Sequence, residues 1–68
     1  MSNTYKKTEV VGISEKSFAD AVNQAVKRTS KAVRNLSWFE VTEMRGQIKD
    51  GKVNEFQVTV KIGFRLED

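Results

Sequence analysis

The chain has 68 residues, with no cysteine, no histidine and no proline. A chain of this length forms one small domain that buries only about 60 % of the surface its unfolded form exposes. Disulfides are excluded and a metal would find only carboxylates, which leaves association between copies to supplement the core. The same absences exclude a thiolate nucleophile, a Ser-His-Asp relay, structural zinc and an imidazole proton shuttle, so a protein that is not an enzyme is expected.

Twelve Lys and Arg against nine Asp and Glu give a net charge of +3, a mild excess that suits anionic ligands such as phosphates. No apolar run approaches the roughly 18 residues of a membrane span, and the first residues lack the apolar centre of a signal peptide. A soluble, cytoplasmic protein without membrane contact is expected. The chain should be ordered apart from Met1 to Asn3 and Glu67 to Asp68.

From Tyr5 to Ile13 the sequence YKKTEVVGI is rich in β-branched and aromatic residues and predicts a first strand. Ser14 is a good N-cap, with Glu15 and Asp20 in the turns where a helix favours negative charge. Phe18, Ala21, Val22, Ala25, Val26, Ala32, Val33 and Leu36 recur at helical spacing, which predicts an amphipathic helix over residues 15–35. Lys27, Arg28, Lys31 and Arg34 crowd its end. They read as a solvated face answering the helix dipole, with a phosphate patch as the alternative.

After Ser37 the period becomes two, predicting a second strand over residues 38–48. Asp50-Gly51 then signals a two-residue hairpin. The third strand, residues 53–66, alternates Phe56, Val58, Val60, Ile62, Phe64 and Leu66 with Gln57, Thr59, Lys61 and Arg65. Its apolar face must meet the helix. The fold class is therefore α+β: a β-α-β-β subunit whose three-stranded sheet carries one helix on one face. The other sheet face is too polar for a core, and the sheet edges call for cover, so a closed homo-oligomer is expected.

Gly46 to Lys52 has the spacing of a phosphate-binding loop, GxxxxGK, but Val53 stands where Ser or Thr is needed and a strand follows instead of a helix. A nucleic-acid-binding sheet would present exposed aromatics, whereas Phe56 and Phe64 lie in the buried register, so no nucleic-acid partner is expected. Glu40 and Glu43 point to opposite faces of a regular strand unless a bulge intervenes, and read as salt-bridge partners for Arg45 or Arg65. Trp38, at the helix-to-strand junction, is by type more often core or interface filler than a ligand platform. Counted from the turn, Gln57 sits opposite Met44, well along the sheet from Trp38. One chain would not bring the two together, but an interface between copies could. An indole face with a nearby amide suits a planar heterocycle with an imide-like edge.

The runs Val11-Gly12-Ile13-Ser14, Trp38-Phe39-Glu40-Val41, Arg45-Gly46 and Phe56 through Leu66 (FQVTVKIGFRL) closely resemble the dodecins, small flavin-binding proteins, over nearly the whole chain. The resemblance implies an antiparallel sheet wrapped around the helix and a hollow homododecamer of tetrahedral symmetry. It implies flavin storage without turnover, with flavins stacked in pairs at subunit interfaces between Trp38 residues. Gln57 matches the amide that reads the pyrimidine edge, and Arg45 is a flavin or phosphate contact. Arg65 is given a structural role. The positive charge favours FMN, with riboflavin or FAD as alternatives. Some members also bind coenzyme A, for which Lys6, Lys7 and the helix-end basic residues are the candidates. A structural or phosphate-binding oligomer without flavin is the runner-up reading.

Overall fold

A computed structural model of the chain describes residues 3–67. Strand β1 (Tyr5–Ser14) leads to helix α1 (Phe18–Ser30), then β2 (Leu36–Lys49) and β3 (Lys52–Arg65). The strands form one sheet in the order β1-β3-β2, with β3 antiparallel to both neighbours. The helix carries the chain over the sheet, so the longest alternating segment of the sequence becomes the central strand. Met1, Ser2 and Asp68, part of the expected frayed ends, lie outside the described residues; Glu67 is exposed and pairs with Arg34 at 3.6 Å.

One face of the sheet meets the helix. Val58, Val60 and Ile62 from β3 pack against Ala21 and Ala25, and these five residues are the buried apolar core. Val10, Phe18, Val22, Val26 and Leu36 surround them. Ala21, Ala25 and Thr29 form one small-residue stripe, which lets the helix approach β1 closely at Gly12. A Cβ on Gly12 would run into the Ala21 carbonyl and come within 2.9 Å of the Ala25 Cβ.

The helix, Phe18–Ser30, is shorter at both ends than the predicted 15–35. Ser17 is the N-cap, accepting from the Asp20 N–H at 3.0 Å, while Ser14 still belongs to β1. The Ser14 hydroxyl instead accepts from the Lys16 N–H and donates to the Asp20 carboxylate at 2.6 Å, tying the strand end to the first helical turn. At the far end the Ala32 and Val33 N–H groups both return to the Thr29 carbonyl, and Asn35 adopts a left-handed φ of 64°. The apolar pattern runs on through Ala32, Val33 and Leu36, but the backbone leaves the helix at Ser30, and Leu36 already belongs to β2.

At the hairpin, Asp50 and Gly51 have φ of 52° and 73°, the pair of positive values that a type I′ turn needs. The strands it joins extend beyond the helix. Phe39, Val41 and Met44 on β2 lie on the helix side, opposite Ile62, Val60 and Val58, yet are 52 %, 43 % and 57 % exposed. The subunit measures 53 × 20 × 13 Å with a radius of gyration of 14.0 Å. A compact domain of this length would have about 11 Å. Its surface of 5069 Å² likewise exceeds the roughly 4,300 Å² of a compact monomer of its mass.

Candidate functional site

The sheet face turned away from the helix carries the polar alternates of β3 (Gln57, Thr59, Lys61, Gly63 and Arg65). Register brings Trp38, Glu40, Glu43 and Arg45 from β2 to the same face. From β1 come Tyr5, Lys7, Glu9, Val11 and Ile13. Two groups of side chains occupy its two ends.

At one end Trp38 pairs with Gly63. The six-membered ring of the indole lies over the glycine so closely that a Cβ there would collide with it. Tyr5 flanks the indole with ring centroids 5.4 Å apart and planes tilted by 57°. The indole N–H donates to Glu40 Oε2 at 3.0 Å, and the same oxygen accepts from the Lys7 ammonium at 2.7 Å. Hydrogen bonding from Lys7, then from Trp38, holds the Glu40 carboxyl below its ordinary value of 4.5. With 38 % of its surface open, Trp38 keeps part of its aromatic surface exposed.

At the other end Arg45 pairs with Gln57. The Arg45 Nε donates to Gln57 Oε1 at 2.8 Å, and Gln57 Nε2 donates to Glu55 Oε2 at 2.7 Å, which fixes the amide's orientation. Glu43 lies 3.8 Å from the Arg45 guanidinium and accepts from the Thr59 hydroxyl at 3.2 Å. This end offers a guanidinium and an amide with donor and acceptor atoms, suited to an anion beside a polar heterocycle edge.

Three sequence expectations change here. An irregularity between Gln47 and Ile48 shifts the register by one residue, so Gln57 faces Arg45 and not Met44, and a second between Val41 and Glu43 shifts it back. The second irregularity also brings Glu40 and Glu43 to the same face, opposite Lys61 and Thr59. Of the two, only Glu43 meets Arg45; Glu40 serves Lys7 and Trp38, and among the described residues the Arg65 guanidinium has no carboxylate partner. The surroundings of Trp38 went unrecognised in the sequence. The pairing of β1 with β3 brings Lys7 opposite Gly63 and Tyr5 opposite Arg65, and a lysine on that strand face was the available signal.

Trp38 and Gln57 stay apart within the chain. Gly63 lies six positions along β3 from Gln57, about 20 Å at the rise of a strand. A hollow along the β1 edge beside α1, lined by Val10, Gly12, Gln24 and Arg28 among others, includes neither of them.

The Dodecin family model matches residues 4–67. A dodecin of Thermus thermophilus is 47 % identical over 68 residues, spanning 100 % of this chain and 99 % of the relative. Among solved structures, dodecin from Streptomyces coelicolor superposes with a TM-score of 0.94 at 56 % identity, covering 100 % of this chain and 99 % of that one. Dodecin from Streptomyces davaonensis gives a TM-score of 0.93 at 45 % identity, covering 96 % of each chain.

Proposed function

The chain belongs to the dodecin family, whose members in general bind flavins, and on that premise we propose that it stores and sequesters flavin, with FMN preferred, and performs no turnover. Trp38 is the stacking surface. Its indole is partly exposed on the sheet face away from the helix, about 20 Å along the sheet from the Arg45–Gln57 pair. That separation is the observation that carries the reading: one flavin can meet an indole and the amide only if different copies supply them. Two indoles related by a twofold axis then enclose a pair of flavins, and Gln57 and Arg45 serve the polar edge and phosphate.

Assembly into a hollow homododecamer supplies those copies. The radius of gyration, the surface area and the exposed Phe39, Val41 and Met44 support association. No helix among the described residues is long and apolar enough to cross a membrane, and the proposed location is the cytoplasm. Stacking contributes roughly 1–3 kcal/mol per aromatic contact by analogy with base stacking.

Titrating FMN with the ligand-free assembly tests the reading. Flavin emission should be quenched strongly, and Trp38→Ala should abolish most of the quenching; unchanged emission on mixing with the natural sequence rejects it. Coenzyme A is the second ligand proposed, favoured by the Arg65 guanidinium left without a carboxylate partner among the described residues. Calorimetry with coenzyme A, alone and after FMN saturation, tests whether it binds and whether the sites are separate.

A further inference from the structure

The contacts around Trp38 form a chain that spans all three strands. Lys7 on β1 reaches across the gap left by Gly63 on β3 to Glu40 on β2, and Glu40 in turn accepts the indole N–H. Gly63 makes the arrangement feasible, since a side chain there would lift the ring from the sheet. A surface tryptophan ordinarily samples several rotamers, and ordering such a side chain on binding costs free energy. Here the ring has a floor in Gly63, a flank in Tyr5 and a polar tether in Glu40. Only the last is directional, because it fixes which edge of the indole points along the strand.

We infer that Glu40, itself held by Lys7, is a positioning residue for flavin binding: it fixes the Trp38 indole in its stacking orientation before ligand arrives. The inference rests on the flavin reading of Trp38 and adds to it a residue that need not touch the flavin. Lys7 keeps Glu40 ionised and in place, and the neighbouring Lys61 supports the charge. An ionised acceptor makes a stronger hydrogen bond to the indole N–H than a neutral one, and a pre-oriented ring forfeits less freedom on stacking.

The chain contains one tryptophan, so its emission reports this ring alone. The experiment measures two quantities on the assembled protein: tryptophan emission anisotropy without ligand, and FMN affinity by quenching of flavin emission. Glu40→Ala should lower the anisotropy and weaken FMN binding about ten-fold, the effect of losing one charge-assisted hydrogen bond. Glu40→Gln, whose amide oxygen still accepts, should restore most of both. Lys7→Met, which frees Glu40 without deleting it, should fall between.

Unchanged anisotropy or unchanged FMN affinity in Glu40→Ala overturns the inference, as does failure of Glu40→Gln to rescue. Sedimentation of the same samples covers the remaining outcome. If Glu40→Ala and Glu40→Gln both dissociate, Glu40 belongs to the subunit interface and the positioning role is overturned. Absence of FMN quenching by the natural sequence instead rejects the flavin reading itself, while the anisotropy arm still reports whether Glu40 fixes the ring.

Discussion

Trp38 and Gly63 are paired residues of adjacent strands, and the indole rests on the glycine's bare backbone. Gly63→Ala should therefore displace the ring while leaving the helix-side core in place. The expected cost is about 1–3 kcal/mol of stability from overpacking. Flavin affinity should fall along with it, and thermal unfolding and FMN titration measure the two effects. Natural FMN affinity in Gly63→Ala would mean that the ring's seat does not matter.

Gly12→Ala tests the other close approach, on the opposite side of the sheet. The added methyl meets the Ala21 carbonyl and the Ala25 side chain, so either the helix must move off β1 or the strand must bend. We expect a loss of at least about 2 kcal/mol, read by denaturant unfolding. Gly51→Ala, at a turn position with φ of 73° but open space around it, should cost less, about 1 kcal/mol from the strained backbone alone.

Much of this architecture was legible in the sequence. The alternation from Phe56 to Phe64 marked a strand with one apolar face, and Asp50-Gly51 marked the turn. Other features had no local signature. Ser14 and Ser17 are both plausible caps three residues apart, and only the pairing of Ser14 with Phe56 assigns the first to the strand. The apolar residues after Ser30 keep helical spacing while belonging to a turn and to β2. Strand irregularities depend on how twist accumulates along a long hairpin, so the Arg45–Gln57 pairing and the shared face of Glu40 and Glu43 emerge only once both strands are placed. The Lys7–Glu40 contact needs still more, since it joins the two outer strands across the middle one.

Acid should release the Trp38 tether by protonating Glu40. Its carboxyl titrates below the ordinary 4.5, owing mainly to the hydrogen bond from Lys7. A lowered value in the folded protein means that the ionised form is the stabilised one. The contribution is fully present above the unfolded value and is lost as pH falls through the folded one. The change in tryptophan emission on acidification should have its midpoint below the ordinary 4.5. Lys7→Met should move that midpoint upward, and a midpoint in the natural sequence above the ordinary 4.5 would contradict the assignment.

The amide end should respond differently from the indole end. Gln57→Ala removes one hydrogen-bond partner from each of Arg45 and Glu55. It should weaken FMN binding by about ten-fold while leaving the sedimentation profile unchanged, because it deletes hydrogen bonds and little packing. Dissociation of the assembly in this variant would count against a ligand role.

Phe39 and Met44 should control association. Each is more than half exposed in the single chain, on the helix side of β2 where the helix does not reach. Phe39→Asp or Met44→Glu places a charge where a neighbouring copy would otherwise bury apolar surface. Sedimentation should show small species in place of the assembly, and retention of the full-sized particle would show that this strip faces solvent.

A body only 13 Å thick along its shortest axis has little more than one layer of side chains between its two skins. Such a plank has almost no inside of its own, so under the proposed assembly attaining shape and finding neighbours become a single event. Its melting temperature should then climb with protein concentration, and dilution alone should be enough to undo it.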